Sequence, residues 1–217
     1  MLNAELLKLG FTRCRSDSCV YLRVSNKGRT IIVIHVDDMI LAASTKRAMT
    51  ELKEDFRGLP FETTELGEPR TLLGMTVFRN RDKGIISLSQ THYLHNVLER
   101  FAMMDCKPVS TPMDPSTHLS NEQSPRLYSA EWEEMRKYPY AALVGALMYA
   151  ALATRPDLAY TVNTLAQYMS NPGMEHWHAA KRVLRYVKGT LDLALTYGGD
   201  ENDWIPVGYT DADFAES

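Results

Sequence analysis

"TIIVIHVDDMILAAS", residues 30–44, places two adjacent acids, Asp37 and Asp38, between two apolar runs rich in β-branched residues. Such runs predict sheet. Neighbouring side chains on a strand point to opposite faces, so two acids in series inside one run would bury at least one charge. That cost disappears if the pair lies at a hairpin bend whose tip faces a cleft. Taken alone, the pair is either a polar hairpin turn or a metal site, since hard divalent cations prefer carboxylate oxygens and can position attacking and leaving oxygens in phosphoryl transfer.

Working outward, "CVYLRVS" (19–25) and "RTIIVIHV" (29–36) predict a hairpin around "NKG", and "MILAAS" (39–44) predicts the next strand. Ser44 is the expected cap of a helix running to about Phe56, with Leu52 and Phe56 on its inner face. Upstream, "LNAELLKLG" predicts a short helix carrying Leu2, Leu6 and Leu9 on one face, with Gly10 as its stop. Downstream, "RTLLGMTVFRNRDKGIISLS" (70–89) predicts a second hairpin around "RDKG", after which Ser89 caps the helix "QTHYLHNVLERFAM". These elements make an α+β unit over residues 1–104.

Residues 105–137 change character, with Pro108, Pro112, Pro115 and Pro125 among polar residues, and predict a linker or an extended strap. Within 138–190, "YPYAALVGALMYAALAT" carries no charge but falls short of the roughly 20 apolar residues a bilayer needs, so it predicts a buried helix. "PDLAYTVNTLAQYMS" predicts a second helix, with Thr154 near its cap, and "MEHWHAAKRVLRYVKGT" a third, closed by Gly189. In residues 191–217, "LDLALTYGG" and "WIPVGYTDADF" predict two strands.

Composition narrows the function classes. The chain has 217 residues, of which 45% are hydrophobic and 24% charged, which excludes global disorder. A formal charge of −3 and a pI near 6.1 leave no global basic field, so nucleic-acid contact must come from local patches. Cys14, Cys19 and Cys106 are an odd number without C-x-x-C spacing, which argues against a disulfide framework or a zinc site and for a reducing intracellular compartment, cytoplasmic or nuclear. The N-terminus lacks the basic start and long apolar core of a signal peptide, so secretion is not expected.

Several local patterns carry a plain and a sharper meaning. On the third helix His178, Lys181, Arg185 and Lys188 form one stripe, and Trp177, Ala180, Leu184 and Val187 another. A charged stripe is commonly a solvated face; the sharper alternative is contact with nucleic-acid phosphates. "FRNRDKG" (78–84) is basic and similarly ambiguous. His176 and His178, two apart on a helix, point to different sides and do not make a metal pair. His92 and His95 could share a face but have no third ligand nearby, so they are expected at the surface. The eleven methionines and eleven tyrosines are expected to fill the core.

The flanking residues make the acid pair specific. "IIVIHVDDMILAAS" resembles the palm-domain hairpin of reverse transcriptases, in which an aromatic-x-Asp-Asp turn is framed by hydrophobic strands. Residues 63–113, from "TTELGEPRTLLGMTVFRN" to "CKPVSTPM", resemble the palm-to-thumb passage of copia-type retrotransposon polyproteins. Residues 140–197 and "GYTDADFA" are similar to that family's connection and the first strand of its ribonuclease H domain. The resemblance covers nearly the whole chain in the family's order. The implied fold is α+β: a partial palm sheet with packed helices, a helical thumb and connection, then the first strands of a ribonuclease H-like fold.

Carried over position by position, the resemblance implies that Asp37 and Asp38 bind metal in the polymerase, with Asp37 the stronger candidate. It places His35, Leu73 and Gly74 at the primer end, and makes Asp211 the first metal-binding acid of ribonuclease H, with Asp213 less certain. His35 departs from the usual Tyr and puts a smaller, titratable ring there. The implied cofactor is Mg2+ or Mn2+; the implied partners are an RNA or DNA template-primer duplex, deoxynucleoside triphosphates and other Pol segments. Lys181, Arg185 and Lys188 are the expected nucleic-acid contacts. The family also uses a third palm carboxylate, fingers and further ribonuclease H acids that these 217 residues do not supply, so the isolated chain is expected not to polymerise. The rival expectations are a non-catalytic nucleic-acid-binding module and an unstable remnant with exposed sheet edges.

Overall fold

A computed structural model describes residues 2–198 and Gly208. The chain is a mixed α and β protein with two four-stranded antiparallel sheets, each in its own compact unit, divided after Pro69.

In the first unit, α1 (Leu2–Lys8) ends at Gly10, whose φ of 81° is the left-handed conformation that stops a helix. The sheet runs β1 (Thr12–Arg13), β2 (Val20–Ser25), β3 (Gly28–His35) and β4 (Asp38–Ala43), in that order. The β2–β3 hairpin closes on the pair Ser25 and Gly28, as the "NKG" turn predicts. The two-residue β1 is too short for its sequence to announce. Helix α2 (Lys46–Arg57) follows, but its cap is Thr45: the Thr45 hydroxyl accepts from the Ala48 amide at 3.0 Å, while Ser44 Oγ accepts from the Arg29 amide at 2.9 Å. Adjacent hydroxyls compete for one capping position, and the one not used ties the helix start to β3 instead.

Leu6, Phe11, Tyr21, Ile32, Leu52 and Phe56 form the core of this unit. Leu52 and Phe56 face inward with the expected four-residue spacing. Charged pairs brace the rim of this core: Arg23 meets Asp55 at 2.7 Å and Lys27 meets Glu51 at 2.8 Å, and the Arg23 guanidinium lies 4.6 Å from the centre of the Phe11 ring.

In the second unit, β5 (Thr71–Leu72), β6 (Met75–Asn80), β7 (Ile85–Ser89) and β8 (Leu195–Tyr197) make the sheet in that order. The loop Arg81–Gly84 joins β6 to β7, as "RDKG" predicts, and β8 returns from more than a hundred residues away to pair with β7. Helix α3 (Thr91–Arg100) has Gln90 at its cap position, yet the hydroxyl that accepts from its first amide is that of Ser89, at 3.2 Å from Thr91 N. The Pro-rich segment contains a 3-10 turn at Asn121–Gln123 and the short helix α4 (Ala130–Met135). Its carbonyls accept side-chain donors of the later helices: Leu119 from the Tyr168 hydroxyl at 2.8 Å and Pro125 from Asn171 at 2.9 Å.

Three further helices complete the unit: α5 (Tyr140–Ala153), α6 (Ala159–Ala166) and α7 (Met174–Gly189). Leu143, Val144 and Leu147 of α5 are fully buried against Leu158, Leu165, Val183 and Leu184, with Leu94 and Leu98 of α3 in the same core. The uncharged α5 is therefore a core helix, and no helix among the described residues is long and apolar enough to cross a membrane. Thr154 caps nothing at the start of α6; it is buried and donates its hydroxyl to Gln90 at 2.8 Å. The predicted strand 204–214 lies, apart from Gly208, outside the described residues.

Candidate active site at the β3–β4 hairpin

Strands β3 and β4 pair in register from Thr30 with Ala43 to His35 with Asp38, leaving Val36 and Asp37 as a two-residue turn. Such turns need a positive φ at their first central residue, and Val36 supplies it with φ 53°. This conformation is rare for a β-branched residue, and Val36 is 82% exposed. The acids thus avoid burial as their sequence demands: Asp37 and Asp38 are both exposed at the tip, one in the turn and one opening β4.

Pleating decides what surrounds them. Ile32 and Ile34 face the core opposite Leu41 and Met39. His35 and Asp38 are paired across the ladder and share the other face with Ile31, Val33 and Ile40. Ile31 and Val33 are exposed there, as is Leu22 of β2. Asp38 therefore stands with His35 at one end of an exposed sheet face, and Asp37 lies in the adjoining turn.

Two exposed carboxylates fit a hard divalent cation as part of its ligand set, because magnesium characteristically takes one or two carboxylates and completes its shell with phosphate oxygens and water. Among the described residues no cluster of three or more His, Cys, Asp or Glu side chains could hold a metal by itself.

Leu73 and Gly74 form the two-residue turn between β5 and β6, with φ values of 48° and 76°. The hydroxyl of Tyr149 on α5 donates to the Leu73 carbonyl. A Cβ at Gly74 would lie 3.3 Å from that same hydroxyl oxygen, so the glycine serves both the turn and the hydrogen bond. Tyr93 packs edge-on against Tyr149, with ring centres 4.8 Å apart, and donates to the Ala146 carbonyl at 3.0 Å. Burial pushes the Tyr93 phenol above its ordinary value. Sequence alone assigns these tyrosines to core filling; only the apposition of α3, α5 and the turn makes them its support.

On α7 the apolar stripe is where the spacing predicts it: Trp177, Ala180, Leu184 and Val187 are buried. His176 is also buried, stacked on Tyr168 with ring centres 4.0 Å apart, whereas His178 is exposed, so the two rings leave different sides of the helix. Lys181 and Lys188 are half-buried, and Arg185 donates to the Lys107 carbonyl at 2.7 Å. Asp211 and Asp213 lie outside the described residues. The structure thus joins His35, Asp37 and Asp38 in one turn, Leu73 and Gly74 in another, and the three cations on one helix.

Residues 1–115 match the model of a family described as reverse transcriptase (RNA-dependent DNA polymerase). The Retrovirus-related Pol polyprotein from transposon TNT 1-94 of Nicotiana tabacum is 41% identical over 94% of this chain and 15% of its own length. Those from transposons RE2 and RE1 of Arabidopsis thaliana are 35% and 31% identical, each over 99% of this chain and 14% of the relative. The chain spans about one seventh of the length of these relatives. No solved structure matches it. The chain belongs to the reverse transcriptase family, as part of the Pol polyprotein of copia-type retrotransposons.

Proposed function

We propose that Asp37 and Asp38 are two of the carboxylate ligands of a divalent cation, magnesium or manganese, at the polymerising centre of a reverse transcriptase. The observation that carries this reading is the two-residue turn that holds both carboxylates exposed at the tip of an otherwise apolar hairpin. When bound, the cation neutralises phosphate charge in nucleotidyl transfer. The residues themselves hold it through their carboxylate oxygens, and the hairpin fixes their spacing. His35, on the same face as Asp38, and the Leu73–Gly74 turn are the groups assigned to the primer end. Substrates are deoxynucleoside triphosphates on an RNA or DNA template-primer duplex. With two acids gathered and no third among the described residues, the 217 residues alone bind metal but do not extend a primer; the further carboxylate comes from another segment of Pol. Asp211 is assigned as the first metal-binding acid of a ribonuclease H-like segment that begins within residues 191–217.

Manganese titration followed by electron paramagnetic resonance tests the pair. Asp37→Asn or Asp38→Asn should weaken binding by about tenfold or more, as expected when a ligating charge is lost. Identical titrations for wild type and both variants would sink the assignment. Primer extension by the wild-type chain, abolished by Asp37→Asn, would overturn the proposed inactivity.

The outward cations of α7 favour a second role for the same chain, holding the duplex by its phosphates. Binding that weakens steeply as salt rises is its signature.

A further inference from the structure

Residues 103–114 run along α7 and leave a cavity of about 420 Å³ against it, lined by Met103, Cys106, His178, Lys181, Arg182 and Arg185. The four α7 residues follow the i, i+3, i+4, i+7 spacing of a single helix face. Lys188, one turn further, is not among them. Three of the four are permanent cations, gathered on a chain whose formal charge is −3.

Their charge is poorly neutralised. Asp114 is the only carboxylate within ion-pair distance among the described residues, at 3.7 Å from the Arg182 guanidinium. Arg182 otherwise donates to the Thr111 hydroxyl at 3.0 Å, and Arg185 to the Lys107 carbonyl at 2.7 Å. These neutral acceptors orient both guanidinium groups without cancelling them. Lys181 has no ion-pair partner among the described residues. Arg182 Nε is buried with no hydrogen-bond acceptor, a donor whose desolvation is not offset. Met103, nearly fully buried, adds an apolar wall that strengthens the field inside.

We infer that this cavity is a phosphate-binding site that takes a phosphodiester of a nucleic-acid strand, with Lys181 and Arg182 as its principal donors. The inference rests on the duplex-holding role proposed above and changes its residues: Arg182 enters and Lys188 leaves. A phosphate offers what the site lacks, a full negative charge with several acceptor oxygens, and guanidinium forks match that geometry. A cavity of this volume also accommodates more than a bare ion.

Fluorescence anisotropy with a labelled RNA–DNA duplex, measured across a salt series, tests the site. Lys181→Gln should weaken duplex binding and lower the slope of log Kd against log salt by about 1, as expected when one phosphate is no longer neutralised. Because Arg182 also ties down Thr111, Lys181→Gln alone is decisive: its side chain braces nothing in the fold. Lys8→Gln, on the exposed side of α1 where it pairs with Glu5, should leave the slope unchanged. If Lys188→Gln lowers the slope and Lys181→Gln does not, the duplex-holding role stands and this site falls. Failure of the wild-type chain to bind duplex at all overturns both. Displacement of duplex by inorganic phosphate beyond ionic-strength-matched chloride, lost in Lys181→Gln, would assign the site to free phosphate and overturn the strand assignment.

Discussion

Arg155 and Asp157 form a two-pronged ion pair, Nε to Oδ1 at 3.0 Å and Nη2 to Oδ2 at 2.8 Å, with the arginine only 1% exposed. The rest of the guanidinium donates to the Thr190 carbonyl at 3.1 Å and hydroxyl at 2.7 Å, and the Tyr186 hydroxyl donates to Asp157 at 2.9 Å. A buried guanidinium is tolerable only when its donors are met, and this network joins the start of α6 to the end of α7.

Asp157→Asn should destabilise the chain by roughly 3 kcal/mol, because it leaves a buried cation without its counter-charge. Burial raises the Asp157 carboxyl, but the Arg155 hydrogen bonds and charge outweigh it and hold the group below its ordinary value. A carboxylate lowered by folding contributes stability that is complete above about pH 4 and lost as pH falls through the folded value. Urea unfolding at pH 7 and at progressively lower pH reads both effects. A wild-type acid loss unchanged in Asp157→Asn would place the acid sensitivity elsewhere.

His176 predicts a second pH response. Desolvation lowers its pKa, and Nδ1 accepts from the Gly173 amide at 2.8 Å, a hydrogen bond that requires an unprotonated nitrogen. The stability it confers is present above about pH 6.5 and falls as pH drops from there toward the folded value. Denaturation midpoints should decline across that range in wild type and stay flat in His176→Gln, whose overall stability is lower from poorer packing. Parallel pH curves for the two proteins would refute this.

Val36→Gly should stabilise the first unit. A left-handed conformation costs a residue with a Cβ about 1–2 kcal/mol, and the greater unfolded-state freedom of glycine offsets part of that gain. A net increase of about 0.5–1 kcal/mol is expected in thermal unfolding, with manganese binding retained. Destabilisation would mean that the exposed valine side chain has a packing role.

Tyr149→Phe should loosen the Leu73–Gly74 turn while sparing the core, since only the hydroxyl that reaches the Leu73 carbonyl is removed. One hydrogen bond of this kind is worth about 1 kcal/mol, so amide exchange across residues 71–76 should quicken by roughly fivefold. Exchange rates equal to wild type would show that the β5–β6 pairing alone holds the turn.

Much of the local structure is written in the chain. Period-two apolar runs around "NKG" and "RDKG", and the four-residue spacing of Leu52 and Phe56, suffice to define hairpins and a helix face because those signals involve only near neighbours. The same alternation, interrupted by Asp37 and Asp38, is enough to require a bend there, since burying either charge would cost too much. Where the choice is between near-equals, or the partner lies far away, tertiary structure decides. Thr45 rather than Ser44 caps α2, because Ser44 is taken by the Arg29 amide of β3. β8 completes a sheet begun more than a hundred residues earlier, and Tyr149 meets a turn 76 residues before it. The burial of Arg155 depends on Thr190, 35 residues on. Sequence periodicity records which face of an element is apolar; it does not record which distant groups complete each other's hydrogen bonds, and only the folded chain brings those together.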